Sequence, residues 1–318
     1  GMLHRMVPLM NLTVTLDPNF VDAYLIGAWH LAYNATAPLP DTPEKDKKYD
    51  SDRDVYLGLK ESYYYQAVDF LKDGIRKNPS DYRLYFDLGF GVYSEKLKDY
   101  ANAVRYLEYA VQYLKHDIWV PRTLYIAYQR NGQHQEAIDG WKRYLERNPT
   151  NVNAPRFIQY NEAFLAEKTM RASLKEKENA HEALLLAQQQ DTDPAALSEA
   201  QATYDAIEKD YEAKAAATYA KWRAVLEAPG GSDDPLAIAH LRMLEAQTLE
   251  EKGQSYEAIA VLTQARTESS EVFLEASDRI IEIKKKAHIP LNASEKMELE
   301  RREEANRIRA ERARQKAQ

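Results

Sequence analysis

The chain has 318 residues, with 43 basic and 50 acidic side chains and a formal net charge of −7. Proteins that enclose nucleic acid usually present a basic face, so this balance argues against a nucleic-acid partner. No run of about eighteen apolar residues occurs, which excludes a membrane-spanning helix within the sequence. Cysteine is absent and glycine occurs only 11 times. Disulfides and thiol catalysis are therefore excluded, and glycine-rich phosphate loops are disfavoured.

At the amino end, Val7, Met10 and Val14 before Pro18 have the spacing of an amphipathic helix. This pattern predicts the second helix of a pair whose first helix is absent, so we expect upstream sequence to be missing. An anchor in that sequence would place the protein in the periplasm or at a membrane; without one, a cytoplasmic location is expected. Residues 35–61 open with three prolines and predict an extended excursion. They form either a tolerated loop or a lid beside a groove.

An internal repeat organises the next part of the chain. Three segments end in the same way, at Pro18, Pro79 and Pro149. Four pairs of a small residue followed by a β-branched residue recur along the chain. The intervals between the first three pairs are 36 and 34 residues. The pairs are Ala67-Val68, Ala103-Val104, Ala137-Ile138 and Ala258-Ile259. A period of about 34 residues is typical of stacked helical hairpins.

The clearest unit runs from Ile118 to Asn151. Apolar residues at helical spacing mark two helices, Gly132 separates them, and Pro149 ends the second. The unit resembles the tetratricopeptide repeat (TPR) at Leu124, Tyr125, Tyr128, Gly132, Ala137, Trp141, Tyr144 and Pro149. The resemblance implies an all-α, right-handed α-solenoid of TPR-type helical hairpins.

A long insertion without glycine follows Leu165. Leu197, Tyr204, Tyr211, Thr218 and Val225 recur every seven residues, which predicts a coiled coil of two antiparallel helices over about 166–212. Its tip is expected at Asp191–Pro194, where a capping residue precedes proline. The polar stretch Glu167–Asn179 favours a hairpin that protrudes. The alternative is two long helices packed along the array.

Towards the carboxyl end, a capping helix is expected over about 271–286. A last helix then opens with Asn292 and Glu295 in capping-box spacing, and its basic end, Arg307–Lys316, is expected to be a solvated face. The predicted domains are a partial repeat, a loop insertion, TPR repeats, a repeat carrying the hairpin, a divergent repeat and a cap with a charged tail. They span residues 2–34, 35–61, 62–151, 152–230, 231–270 and 271–318.

The sequence lacks the motifs that carry chemistry. None of the seven histidines pairs with another at helical spacing, and no nucleophile elbow or phosphate loop occurs. We therefore predict a protein that is not an enzyme, with no catalytic residues, no metal site and no cofactor.

In the family that the chain resembles, the first helix of each repeat lines a concave groove. The matching positions of this chain combine aromatic and arginine side chains, which are common at binding hot spots. Leu25 and Trp29 replace the Lys and Asn of the family's chaperone-tail clamp, so that particular ligand is not expected. The predicted groove residues are Leu25, Trp29, Tyr33, Arg83, Phe86, Phe90, Tyr93, Trp119, Arg122, Ile126, Gln129, Arg130, Asn153, Arg156 and Tyr160.

Four of these groove residues are arginines, and among the slots only Asp22 opposes them. Because arginine pairs with carboxylates through two parallel hydrogen bonds, we expect a partner that bears carboxylates. Pairing of these arginines with acids or tyrosine rings of the chain itself is the alternative.

The predicted function is a non-enzymatic scaffold that binds a peptide segment or helix of a partner protein in this groove. A second hypothesis is an architectural component of a bacterial cell-envelope complex that acts through the hairpin. A third is a small-molecule binder or enzyme that uses the aromatic region from Trp29 to Tyr93. The oligomeric state stays open.

Overall fold

The computed structural model describes residues 3–39, 48–50, 55–113, 115–189, 193–228 and 230–300, together with residues 303 and 307. The chain divides into two compact units, residues 1–161 and 162–318. Helices dominate both units, as the sequence predicts.

The first unit is built from paired helices. They are α1 (Leu3–Leu16), α2 (Val21–Trp29), α3 (Leu59–Lys77), α4 (Tyr82–Phe86), α5 (Tyr100–Val111), α6 (Trp119–Arg130), α7 (His134–Arg147) and the start of α8 (Ala154–Gln189). Each helix packs mainly against its neighbour in the chain. Such stacking buries the apolar face that one helical hairpin cannot bury alone.

Small residues set the helix contacts, as the repeat predicts. Ala67, Ala103, Ala137 and Ala258 are all fully buried. Gly132 has a φ of 76° directly after α6, a left-handed conformation that glycine adopts without steric cost. The TPR-type helical hairpin is therefore confirmed.

The first helices of two repeats change from α-helix to π-helix partway along. After Trp29, α2 continues as a π-helix from His30 to Asn34, and after Phe86, α4 continues as a π-helix from Asp87 to Leu97. We name these segments π1 and π2. A π-helix is rare, and its wider turn shifts the side chains that follow, which is why such segments are common at functional sites.

The 35–61 insertion contains a short ribbon that the sequence did not reveal. Strands β1 (Lys48–Asp50) and β2 (Val55–Leu57) pair antiparallel, with Tyr49 opposite Tyr56. Residues 40–47 and 51–54 lie outside the described part of the chain. That residues 35–61 form either a tolerated loop or a lid beside the groove stays a prediction.

The second unit continues α8 and adds α9 (Pro194–Glu227), α10 (Pro235–Glu251), α11 (Ser255–Glu268) and α12 (Phe273–Lys286). Helix α11 packs on both α10 and α12. Residues 293–300 are also helical. The predicted capping box there is confirmed, because Asn292 and Glu295 exchange backbone-to-side-chain hydrogen bonds of 2.8 and 2.9 Å.

Helices α8 and α9 pair antiparallel. Ser173 donates to Asp210 at 2.9 Å, and further along α8 the His181 ring lies 5.3 Å from that of Tyr204. Residue numbers increase along α8 while those of the contacting residues in α9 decrease, which is the pattern of an antiparallel pair. Pro194 is the first residue of α9, as predicted, whereas residues 190–192 at the tip are not described.

The base of this hairpin belongs to the core of the second unit, although the polar stretch Glu167–Asn179 favoured a hairpin that protrudes. Met170 and Ser173 are each 1% exposed. Glu167 accepts from Trp222 Nε1 at 3.0 Å and lies 2.9 Å from His240 Nδ1. Burial of the Glu167 carboxylate is tolerated because Trp222 and Arg171 both donate hydrogen bonds to it.

Contacts with α10 and α12 extend further up the hairpin. Arg171 forms an ion pair with Glu275 at 2.5 Å, and Tyr211 donates to Glu251 at 2.7 Å. The part without such contacts is therefore shorter than the predicted 166–212. Protrusion of that part stays a prediction.

Within the described residues, no helix is both long enough and apolar enough to cross a membrane. The predicted basic face at Arg307–Lys316 falls almost entirely outside the described part of the chain, with only Arg307 assigned to a helix.

Candidate aromatic groove

Exposed aromatic side chains follow the first helices of the first unit. Trp29 on α2 is 50% exposed, Phe90 on π2 is 37% exposed and Trp119 on α6 is 42% exposed. Phe86 links the last two, because its ring centroid lies 5.4 Å from that of Phe90 and 4.3 Å from that of Trp119. We call these four residues the aromatic row.

A cavity of about 270 Å³ opens beside the row, between α2–π1 and α4–π2. Trp29 and Tyr33 form one wall, with their rings nearly parallel and 6.0 Å apart. The Tyr33 hydroxyl donates to the carbonyl of Gly91 at 3.1 Å and so ties the two π-helices together. A Cβ atom at Gly91 would meet no other atom within 4 Å, so this glycine leaves space at the cavity.

Asp87 contributes a carboxylate to the same cavity, among Phe86, Phe90 and Tyr33. Burial raises the pKa of Asp87 to about 6, and the nearby Arg83 opposes that rise only in part. Among the described residues, the Asp87 carboxylate has no hydrogen-bond or ion-pair partner. The cavity therefore combines aromatic walls with one unpaired acid.

Two of the four arginines in the expected positive strip form ion pairs with acids of the chain itself. Arg83 is held by Asp22 at 2.8 Å and by Asp81 at 2.7 Å. Arg130 pairs with Glu95 at 3.0 Å.

Arg122 lies over the Tyr144 ring at 5.8 Å. Arg83 and Arg130 are therefore paired within the chain, whereas Arg122 keeps its charge beside the Tyr144 ring. Binding of carboxylates in the groove stays a prediction.

The structure places the other predicted groove residues at different depths. Tyr93 is 5% exposed and stacks on Tyr106 of α5, so it supports the core instead of lining an open surface. Tyr160 is also buried, at 6% exposed. The half-buried residues are Leu25, Ile126, Gln129 and Arg156, and Asn153 is exposed at the start of α8.

Comparison with known proteins adds a general likeness to solved TPR structures. YrrB, described as a TPR protein with an unusual peptide-binding site, is 14% identical over 83% of this chain and 94% of its own, with a TM-score of 0.36. A tetratricopeptide repeat protein from Parabacteroides merdae is 15% identical over 74% of this chain and 90% of its own, also at 0.36. The TPR domain of P58(IPK) is 11% identical over 88% and 83%, at 0.31.

No protein-family model and no curated protein matches the chain. The TM-scores of these likenesses are low.

Asp87 and Gly91 are the site residues that the sequence did not single out. Their signal is an acid flanked by Phe86 and Phe90 on a groove-facing helix, opposite Trp29 of the preceding repeat. The two glycines of π2 differ in their surroundings. Gly89 lies at a close helix contact, because its Cβ would lie 3.0 Å from the Ala103 carbonyl oxygen, but Gly91 faces open space. In the part of the chain that the structure describes, no cluster of metal-ligating side chains occurs.

Proposed function

We propose that the protein is a non-enzymatic interaction module that binds a segment of a partner protein along the aromatic row. The observation that carries this proposal is the exposure of Trp29, Phe90 and Trp119 on successive first helices, where Trp29 and Phe90 border one cavity and Phe86 joins Phe90 to Trp119. Scattered apolar side chains are normal on a protein surface, but a contiguous set marks an interaction site.

The chemistry of the row suits a protein partner. Large aromatic side chains with few rotatable bonds supply apolar contact at a low cost in conformational entropy, and they dominate binding hot spots. Phe86 is 6% exposed and supports Phe90 and Trp119 from below, so the exposed rings are held in place before binding. Such preorganisation strengthens binding because less ordering is needed.

The test is capture of partners by the full chain, followed by comparison of two adjacent substitutions. Trp119→Ala removes a member of the row, whereas Ile118→Ala changes a neighbour that is 66% exposed but does not belong to it. We expect Trp119→Ala to weaken binding of the captured partner by more than about 2 kcal/mol, as at a hot spot. Equal binding by both variants would contradict the proposal.

A second candidate function is architectural, through the α8–α9 hairpin, and one observation favours it. Leu185 and Leu186 near the tip are 42% and 48% exposed, whereas Leu184 is 5% exposed. Two adjacent exposed leucines on a paired helix suit docking into an assembly, such as the cell-envelope complex expected above.

This alternative has its own experiment. Leu185→Glu combined with Leu186→Glu should release an assembly partner without loss of thermal stability, and Glu182→Lys serves as an exposed control on the same helix. Partners that survive both changes would argue against a role for the tip.

A further inference from the structure

We propose that the cavity between π1 and π2 receives the ammonium group of a lysine side chain from the partner protein. This inference rests on the proposed interaction function and deepens it. It also reverses the sign of the ligand expected from the sequence, which was a carboxylate.

The walls of the cavity are suited to a cation. An ammonium group is attracted to the faces of Trp, Tyr and Phe rings within about 6 Å, and such cages are a recurring way to bind organic cations. Trp29 and Tyr33 stack on one side, and Phe86 and Phe90 lie on the other. Lys96 already holds its Nζ 3.5 Å from the centroid of the Tyr33 ring, so this ring accepts an ammonium group within the chain itself.

The charge of the cavity also favours a cation. Asp87 lines it, and the nearest guanidinium, that of Arg83, is held by Asp81 and Asp22. A half-buried carboxylate without a partner is costly, and a cation that enters the cavity compensates that cost. An incoming carboxylate would instead meet a like charge.

The size of the cavity selects a side chain. Pockets for whole small molecules occupy about 300–1,000 Å³, whereas this cavity has about 270 Å³ and is open to solvent. A lysine fits this description because its apolar stem can lie along the rings while its ammonium reaches Asp87. The exposed rings of Phe90 and Trp119 then contact the adjoining residues of the partner segment.

The experiment measures probe binding to the full chain labelled with 5-fluorotryptophan. The four tryptophans give four fluorine resonances, and Trp29→Phe identifies the one at the cavity. The probes are N-acetyl-lysine methylamide, its uncharged counterpart with norleucine, its acidic counterpart with glutamate, and choline.

We expect the lysine probe to shift the Trp29 resonance saturably and to bind at least about tenfold more tightly than the norleucine probe. Asp87→Asn should weaken the lysine probe by about tenfold. Gly91→Leu should abolish its binding by filling the space.

Asp139→Asn is the matched control, because Asp139 is an exposed acid on α7 that accepts from Gln135 and does not line the cavity. It should leave the affinity within about twofold. Equal binding of lysine and norleucine, tighter binding of glutamate, or no effect of Asp87→Asn would overturn the cation site. Tighter binding of choline than of lysine would overturn the assignment to a partner's lysine.

Peptides selected by display for binding to the full chain test the lysine site and the proposed interaction function separately. Selected peptides that need Trp119 and contain a lysine sensitive to Asp87→Asn would support both. Peptides that need Trp119 but carry no basic residue would overturn the lysine site and leave the interaction function standing. Saturable lysine binding at Trp29, with no peptide that depends on Trp119, would overturn the interaction function alone.

Discussion

Replacement of Asp87 by Asn should stabilise the protein at neutral pH. The ordinary pKa of this carboxyl is 3.8, and burial raises it to about 6 in the folded chain. The native state therefore binds the proton more tightly than the unfolded chain does. The favourable contribution of the protonated acid is complete below pH 3.8 and is lost as the pH rises through 6.

The magnitude follows from the shift. One pKa unit corresponds to about 1.4 kcal/mol, so the ionised carboxylate costs about 3 kcal/mol of folding free energy well above pH 6. Near pH 4.5 that cost is only about 1 kcal/mol, by the same relation. The amide of Asn adds a cost of its own, but that cost does not depend on pH. The stability of Asp87→Asn relative to the native protein should therefore rise by about 2 kcal/mol between about pH 4.5 and about pH 7.5.

The assay is urea unfolding of both proteins across this pH range, with Asp139→Asn as the control. Asp139 is exposed, so the control should show no comparable trend. A stability difference for Asp87→Asn that stays constant or shrinks as the pH rises would refute the burial of an unpaired charge. The gain in stability should accompany the loss of lysine binding, as is common when a functional site carries strain or unmet polarity.

Three further outcomes are expected. Glu167→Gln should cost about 3 kcal/mol near neutral pH, because hydrogen bonds and neighbouring charges hold the pKa of Glu167 at about 2 against an ordinary 4.5. The loss should shrink in urea unfolding as the pH falls from 4.5 towards 2. Gly89→Ala should lower the thermal midpoint at a cost of about 1–3 kcal/mol, since its Cβ would press on backbone atoms. Gly91→Ala should be neutral or stabilising by up to about 1 kcal/mol, and the reverse order would refute the packing described. Replacing residues 179–207 with a short glycine-containing turn should preserve cooperative unfolding by calorimetry, whereas replacing 168–210 should abolish it by removing buried core.

Burial at the base of the α8–α9 hairpin shows what sequence patterns do not predict. The heptad from Leu197 to Val225 predicted the pairing of α8 with α9, and three residues of that heptad, Tyr211, Thr218 and Val225, are buried. The polar residues of α8 gave no sign of their burial. Glu167 is buried where Trp222, far away in the chain, donates a hydrogen bond to it and His240 lies beside it.

The sequence by itself determined the repeat. Alanine at Ala67, Ala103 and Ala137 lets helices approach closely, and Gly132 ends a helix in a left-handed turn, so local chemistry and spacing are sufficient to specify the hairpins. The tertiary structure decided the electrostatics of the groove. Whether Arg83 is free or paired, and whether Asp87 is solvated or enclosed, depends on distances between residues from different repeats. Coulomb and desolvation energies change with those distances, and the order of residues along one helix does not encode them.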